Sequence, residues 1–180
     1  MTLRGEYRLR QCILYPQKNE DGGVTALTIK QLPIKVRASH KADVRTQFAA
    51  LCYRFSNNRT EVLLITTRRT GRWILPKGWP MDGMTPAASA LQEAWEEAGV
   101  VGKGYDRCLG LFSYNKILDQ TQTLPCVAMV YPVKVKSLAP RYPEFGQRRR
   151  KWFGLKKASQ RVMEPELARI IRDFDPKALR

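Results

Sequence analysis

Between Gly83 and Gly99 the chain carries Glu93, Glu96 and Glu97 and not one Lys or Arg. The whole sequence of 180 residues holds 32 Lys+Arg against 16 Asp+Glu, a formal net charge of +16, so an acid-only segment stands out. Its flanks define a helix. Thr85 can serve as N-cap, Pro86 suits the first helical position, and Gly99 is placed to stop the helix at about residue 98. At about 100° per residue the three carboxylates share an arc of about 100°. Ala87, Leu91, Ala94 and Ala98 form a separate apolar face with Trp95 at its edge. One face packs against a core, and the neighbouring face gathers negative charge.

The rest of the chain reads as strands around this helix. QFAALCYRF (47–55) and EVLLITT (61–67) flank the turn-like SNNRT and predict two paired strands. After RRTGR (68–72) come the apolar WILP and the Gly/Pro-punctuated loop KGWPMDG, which lead into the helix. Beyond it, 108–117 and 123–135 predict strands, with a third around Trp152–Leu155, and Glu164–Phe174 predicts a closing helix. Residues 1–44 form a separate unit in this reading. Tyr7–Tyr15 and Val24–Val36 are β-leaning runs on either side of QKNEDGG, a hairpin-like extension joined to a domain at 45–180.

With 43% hydrophobic and 27% charged residues, a chain of this length can bury a core without disulfides. Cys12, Cys52, Cys108 and Cys126 are far apart with no CxxC pair, which encodes neither a zinc site nor a redox motif. No apolar run reaches the roughly 18 residues of a membrane span, and the first residues lack a signal-peptide core. A cytoplasmic protein is expected, with no membrane partner, and no feature names a protein partner. The charge of +16 is spread along the chain and points to a polyanion, nucleic acid included.

Three carboxylates with no base on their own helix repel one another, and a divalent cation would resolve the conflict. Hard oxygen ligands select Mg²⁺ or Mn²⁺, and Mg²⁺ is usually held by one or two carboxylates together with substrate phosphates and water. The competing reading is a solvated acidic face.

The stretch Gly78 to Val100 resembles the signature of the Nudix hydrolases, G-x5-E-x7-R-E-U-x-E-E-x-G-U, with U a bulky aliphatic residue. Gly78, Glu93, Glu96, Glu97, Gly99 and Val100 fall in register; Met84, Gln92 and Ala94 depart from it. TTRRTGRWILPKGWP, LGLFSYNK and RRRKWFGLKKA are similar to the subgroup of diphosphoinositol polyphosphate phosphohydrolases, so the resemblance runs from about residue 45 to 174. It implies an α/β class protein, with a mixed β-sheet sandwiched between helices in an α/β/α arrangement. It also implies metal-dependent hydrolysis of a phosphoanhydride.

Glu93, Glu96 and Glu97 are then the expected metal-binding and catalytic residues. Glu93 and Glu97 are assigned mainly to the metal and Glu96 to a further ligand or the base. Thr66 and Arg68 align with phosphate-contacting positions, and Arg69, Arg72, Lys77 and Gly78 complete the expected substrate-binding set, with Gly78 and Gly99 also structural. A second basic run, Arg148–Lys151 with Lys156 and Lys157, alternates in direction on a strand, so not all of it can reach one ligand. Glu144 is either an extra base or metal ligand, or a salt-bridge partner. His40 reads as a linker residue, and the four Trp as packing residues. The leading substrate is a polyphosphorylated small molecule, a diphosphoinositol polyphosphate or diadenosine polyphosphate. The alternatives are a nucleotide sugar, an RNA 5′ end, and a non-catalytic module that binds nucleotides or RNA.

Overall fold

The computed structural model describes residues 44–118 and 122–179. The expected hairpin at 7–36, Cys12 and His40 lie outside them. The first two strands are β1 (Arg45–Ser56) and β2 (Arg59–Thr66), antiparallel with Ser56 opposite Arg59. The two-residue turn between them puts Asn57 at φ 47 and Asn58 at φ 60. Asn tolerates this left-handed conformation, and two such residues match the twist of a tight hairpin.

WILP contributes β3 (Trp73–Ile74), paired to β2, and the loop that follows touches the sheet again as β4 (Lys77–Gly78), paired to β1. Helix α1 (Pro86–Ala98) has the expected ends. The Thr85 hydroxyl accepts from the Ala88 N–H, and Gly99 adopts the left-handed conformation (φ 66). β6 (Gly110–Ile117) and β7 (Thr123–Leu138) pair antiparallel, and β8 (Arg150–Gly154) lies antiparallel to β2. The closing helix, α3 (Pro165–Arg172), follows a short helix α2 (Leu155–Ser159).

Two elements were not legible in the sequence. One is α2, a single short turn. The other is β5 (Val100–Gly104), whose VVGKG is short and holds two glycines. It pairs with β7 through an irregularity between Val101 and Gly102, where a Cβ would lie 2.3 Å from the Lys134 carbonyl oxygen. The glycine is there because another backbone passes close by.

The sheet is mixed, with β1 and β7 parallel and the other pairings antiparallel, in the order β3-β2-β1-β7-β5 with β4, β6 and β8 off this path. Alternation along β1 sorts its side chains between two cores. Ala49, Leu51 and Tyr53 face Ala158, Leu167, Ile171 and Phe174 of the C-terminal helical segment. Phe48, Ala50 and Cys52 face Ala87, Ala90, Ala94 and Ala98 of α1. Helices on both faces of one sheet give the α/β/α arrangement. The contact surface of α1 is almost all alanine, and volume comes from the sheet side, where Phe48 and Tyr131 meet edge to face with centroids 6.0 Å apart. This accounts for Ala94, fully buried where a larger aliphatic residue was expected. Cys52 and Cys126 are buried free thiols. Among the described residues no helix is long and apolar enough to cross a membrane.

Candidate active site

The three glutamates lie in the C-terminal half of α1, where the helix dipole disfavours negative charge. The charge that compensates for this comes from about fifty residues further along the chain. Arg150 Nη1 donates to the Ala98 carbonyl at 2.5 Å, and the Glu144 N–H donates to the Glu96 carbonyl at 3.0 Å, which together satisfy exposed ends of the helix. Arg148 reaches deeper. Its guanidinium pairs with Glu97 Oε1, donates from Nε to Glu144 Oε2 at 2.6 Å and from Nη1 to the Thr66 carbonyl at 3.2 Å.

The three carboxylates therefore do not share one environment. Glu97 is 6% exposed and belongs to the packed side of α1, a correction to the single acidic face expected from helical geometry. Besides Arg148, it accepts the Lys77 backbone N–H on Oε2 at 3.0 Å. Burial pushes its carboxyl up, while Arg148 and Lys77 pull it down. Glu96 accepts from the Gln92 amide at 2.7 Å, one turn earlier. Glu93 has neither a hydrogen-bonding nor an ion-paired side chain among the described residues. Its carboxylate lies against Gly78, where a Cβ would come within 1.8 Å of Oε1. A glycine at 78 is what lets the loop pass over Glu93.

Burial, and then the charges of Glu97, Glu96 and Glu144, raise Glu93 from 4.5 to about 7, with Lys77 opposing. The folded state thus holds this proton more tightly than the unfolded chain. Its contribution to stability is complete below about pH 4.5 and is lost as pH rises through about 7. Thermal melts of the metal-free protein are expected to show a midpoint that falls across this window. Glu93→Gln should flatten the fall, and an equal fall in Glu93→Gln would disprove the assignment.

Two lysines sit beside the carboxylates. Lys77 projects over the Tyr114 ring, 4.8 Å from its centroid, and burial lowers its pKa against the pull of Glu97. Lys116 sits 4.3 Å from the Trp79 ring centroid and within electrostatic range of Glu97, Glu93 and Arg68. Lys116 has no distinguishing signal in the sequence, being one lysine on an expected strand. Arg148 stands out in the sequence only as part of a basic run, whereas Glu144, expected as an extra base or metal ligand or as a salt-bridge partner, forms salt bridges with Arg148 and Arg68.

The expected substrate-binding residues divide. Arg68 is exposed, with Nη1 3.5 Å from Glu144 Oε1 and 3.3 Å from Gln147 Oε1, so it stands at the rim of the carboxylates. Lys77 and Gly78 lie within the site. Thr66 is buried. Its hydroxyl accepts the Arg149 N–H at 3.0 Å and its own N–H donates to the Arg149 carbonyl at 2.9 Å, so it fixes β8 against β2. Arg69 is exposed. Arg72 points elsewhere, donating to Met163 Sδ at 3.2 Å and lining a cleft of about 580 Å³ with Tyr114, Asn115 and Glu164. Trp73 packs edge to face on Phe153.

With Gln92 and Arg148 directing Glu96 and Glu97, no three acidic, cysteine or histidine side chains converge on one centre among the described residues. The donor set nonetheless suits a hard cation. Glu93 offers partly buried oxygens without a cationic hydrogen-bond partner, in a field of three further carboxylates. One or two carboxylates completed by substrate phosphate oxygens is the ordinary way to hold Mg²⁺.

The NUDIX domain family profile matches residues 45–174. The chain belongs to that family. It is 32% identical over 133 residues to human Diphosphoinositol polyphosphate phosphohydrolase 3-beta, a match covering 72% of this chain and 76% of that protein. Against human Diphosphoinositol polyphosphate phosphohydrolase 3-alpha it is 37% identical over 89 residues, covering 49% of this chain and 53% of that protein. The solved structure of a C. elegans Ap4A hydrolase superposes with a TM-score of 0.52 at 18% identity, over 72% of this chain and 95% of that one. That likeness establishes the fold. The chain is thus a Nudix-type pyrophosphohydrolase, from a family whose enzymes generally use divalent metal ions.

Proposed function

We propose that this Nudix hydrolase cleaves a phosphoanhydride bond in a densely phosphorylated small molecule, with Mg²⁺ or Mn²⁺ as its metal. The observation that carries the reading is a set of cations beside the helix glutamates. Arg68, Lys77 and Lys116 stand within electrostatic reach of Glu93, Glu97 or Glu144 without belonging to the same helix. Several such cations suit a substrate with several phosphates better than one with a single diphosphate. Guanidinium binds phosphate oxygens through a planar fork and ammonium adds a point charge.

Glu93 and Glu97 would hold the metal, with Glu96 as a further ligand. When bound, the metal supplies charge neutralisation at the phosphates and a bound water of lowered pKa. Glu96, where it is not a ligand, would take the proton of the attacking water. Lys77 and Lys116 would stabilise charge developing on the leaving phosphate, and Arg68 would hold the more distant phosphates at the rim.

The test is turnover with Mg²⁺ and with Mn²⁺ on a diphosphoinositol polyphosphate, a diadenosine polyphosphate, a nucleotide sugar and a 5′-triphosphorylated RNA. The expected order of kcat/KM puts one of the first two highest, with all turnover removed by a chelator. A higher value on the nucleotide sugar or the RNA would overturn the substrate class. Tight binding without turnover on every substrate would support a binding module instead.

A further inference from the structure

We infer that Arg148 is the positioning residue of the metal site. Its one guanidinium ties Glu97 of α1 to Glu144 of the loop before β8. The inference rests on the hydrolase reading above and deepens it.

The geometry is that of a built-in part rather than a surface contact. The Arg148 side chain is 7% exposed and engages three separate segments: the Glu97 carboxylate, the Glu144 carboxylate at 2.6 Å and the Thr66 carbonyl at 3.2 Å. Its backbone neighbour Arg149 is tied to Thr66 through both its N–H and its carbonyl. The backbone beside Arg148 is thus held to β2, and its guanidinium gives up three partners if it swings aside. A planar fork is the only cationic side chain able to serve two carboxylates and a carbonyl at fixed angles. Each carboxylate keeps free lone pairs. Glu97 uses Oε1 for Arg148 and Oε2 for the Lys77 N–H, yet a carboxylate accepts about four hydrogen bonds in all. The oxygens are therefore oriented without being used up. Helix α1 itself carries no base that could do this.

The experiment compares the full-length protein with Arg148→Gln and Arg148→Lys. Mn²⁺ affinity is read by calorimetry or by the loss of the free-ion EPR signal. Folding is read by circular dichroism, and turnover as kcat and KM separately. Partners that orient metal ligands typically contribute about 10–100-fold in metal affinity. Arg148→Gln is expected to weaken Mn²⁺ binding by that factor and to lower kcat, with KM little changed. Arg148→Lys, which keeps the charge but not the fork, is expected to remain folded and to fall between the two. A general loss of stability would move the melting midpoint but not Mn²⁺ affinity measured well below it. Wild-type Mn²⁺ affinity in a folded Arg148→Gln protein, or in Arg148→Lys if the glutamine variant does not fold, overturns the inference. Absence of both Mn²⁺ binding and turnover in the unsubstituted protein refutes the hydrolase mechanism itself, and this inference with it.

Discussion

Glu97→Gln is expected to lower kcat by about 10³-fold, within the range for loss of a metal ligand or proton acceptor, and to leave the fold intact. Glu97 is almost fully buried and accepts from two directions, the Arg148 guanidinium and the Lys77 N–H. Glutamine matches its shape but presents one NH₂ group that must face one of those donors. The carboxylate's charge is lost where it is needed to hold a cation. The stability cost is expected to be small because two effects oppose each other. Replacing a buried carboxylate removes its desolvation penalty, while Arg148 loses one of its two acidic partners and keeps Glu144. Single-turnover kinetics with saturating Mg²⁺ and a thermal melt check both halves. A variant retaining a tenth of the wild-type rate would remove Glu97 from the chemistry.

The largest effect on stability is expected from Gly99→Ala. Gly99 ends α1 at φ 66, and its N–H closes the last turn onto the Ala94 and Trp95 carbonyls. A left-handed non-glycine residue costs roughly 1–2 kcal/mol. The added Cβ would also sit 2.6 Å from Tyr142, 2.9 Å from Arg150 Nη1 and 3.0 Å from the Ala139 carbonyl oxygen. Forced contacts of this kind add about 1–3 kcal/mol. Together they predict a loss of about 2–5 kcal/mol, which lowers the melting midpoint by roughly 10 °C. Gly78→Ala makes a useful contrast. The three atoms nearest its new Cβ all belong to the Glu93 carboxyl group, the end of a flexible side chain. It is expected to damage turnover by displacing Glu93 while leaving the melt nearly unchanged. Equal melting midpoints for Gly99→Ala and Gly78→Ala would contradict the distinction.

The two glycines show how much one stretch of sequence can convey. Thr85, Pro86 and Gly99 fix the ends of α1 through local backbone chemistry, which depends on few neighbours, and both ends formed where that chemistry places them. The alternating strands at 47–55 and 61–67 and their Asn-Asn turn were legible for the same reason. β5 was not, because VVGKG becomes a strand only when β7 lies beside it. Nor was the fate of Ala94, whose small size makes sense only opposite Phe48 and Tyr131.

For the site, the sequence by itself determined the inventory: three glutamates on one helix, glycines before and after, and an excess of bases in the flanking segments. Spacing along a helix can reveal such a set because i, i+3 and i+4 neighbours share a face whatever the rest of the chain does. Only the tertiary structure decided which bases meet which acids. It chose Arg148 from a run of four, brought Glu144 and Lys116 beside the helix, turned Thr66 inward and directed Arg72 to another cleft. Their hydrogen bonds join residues up to 91 positions apart. They depend on the register of β8 against β2, and no local pattern encodes which faces a sheet will bring together.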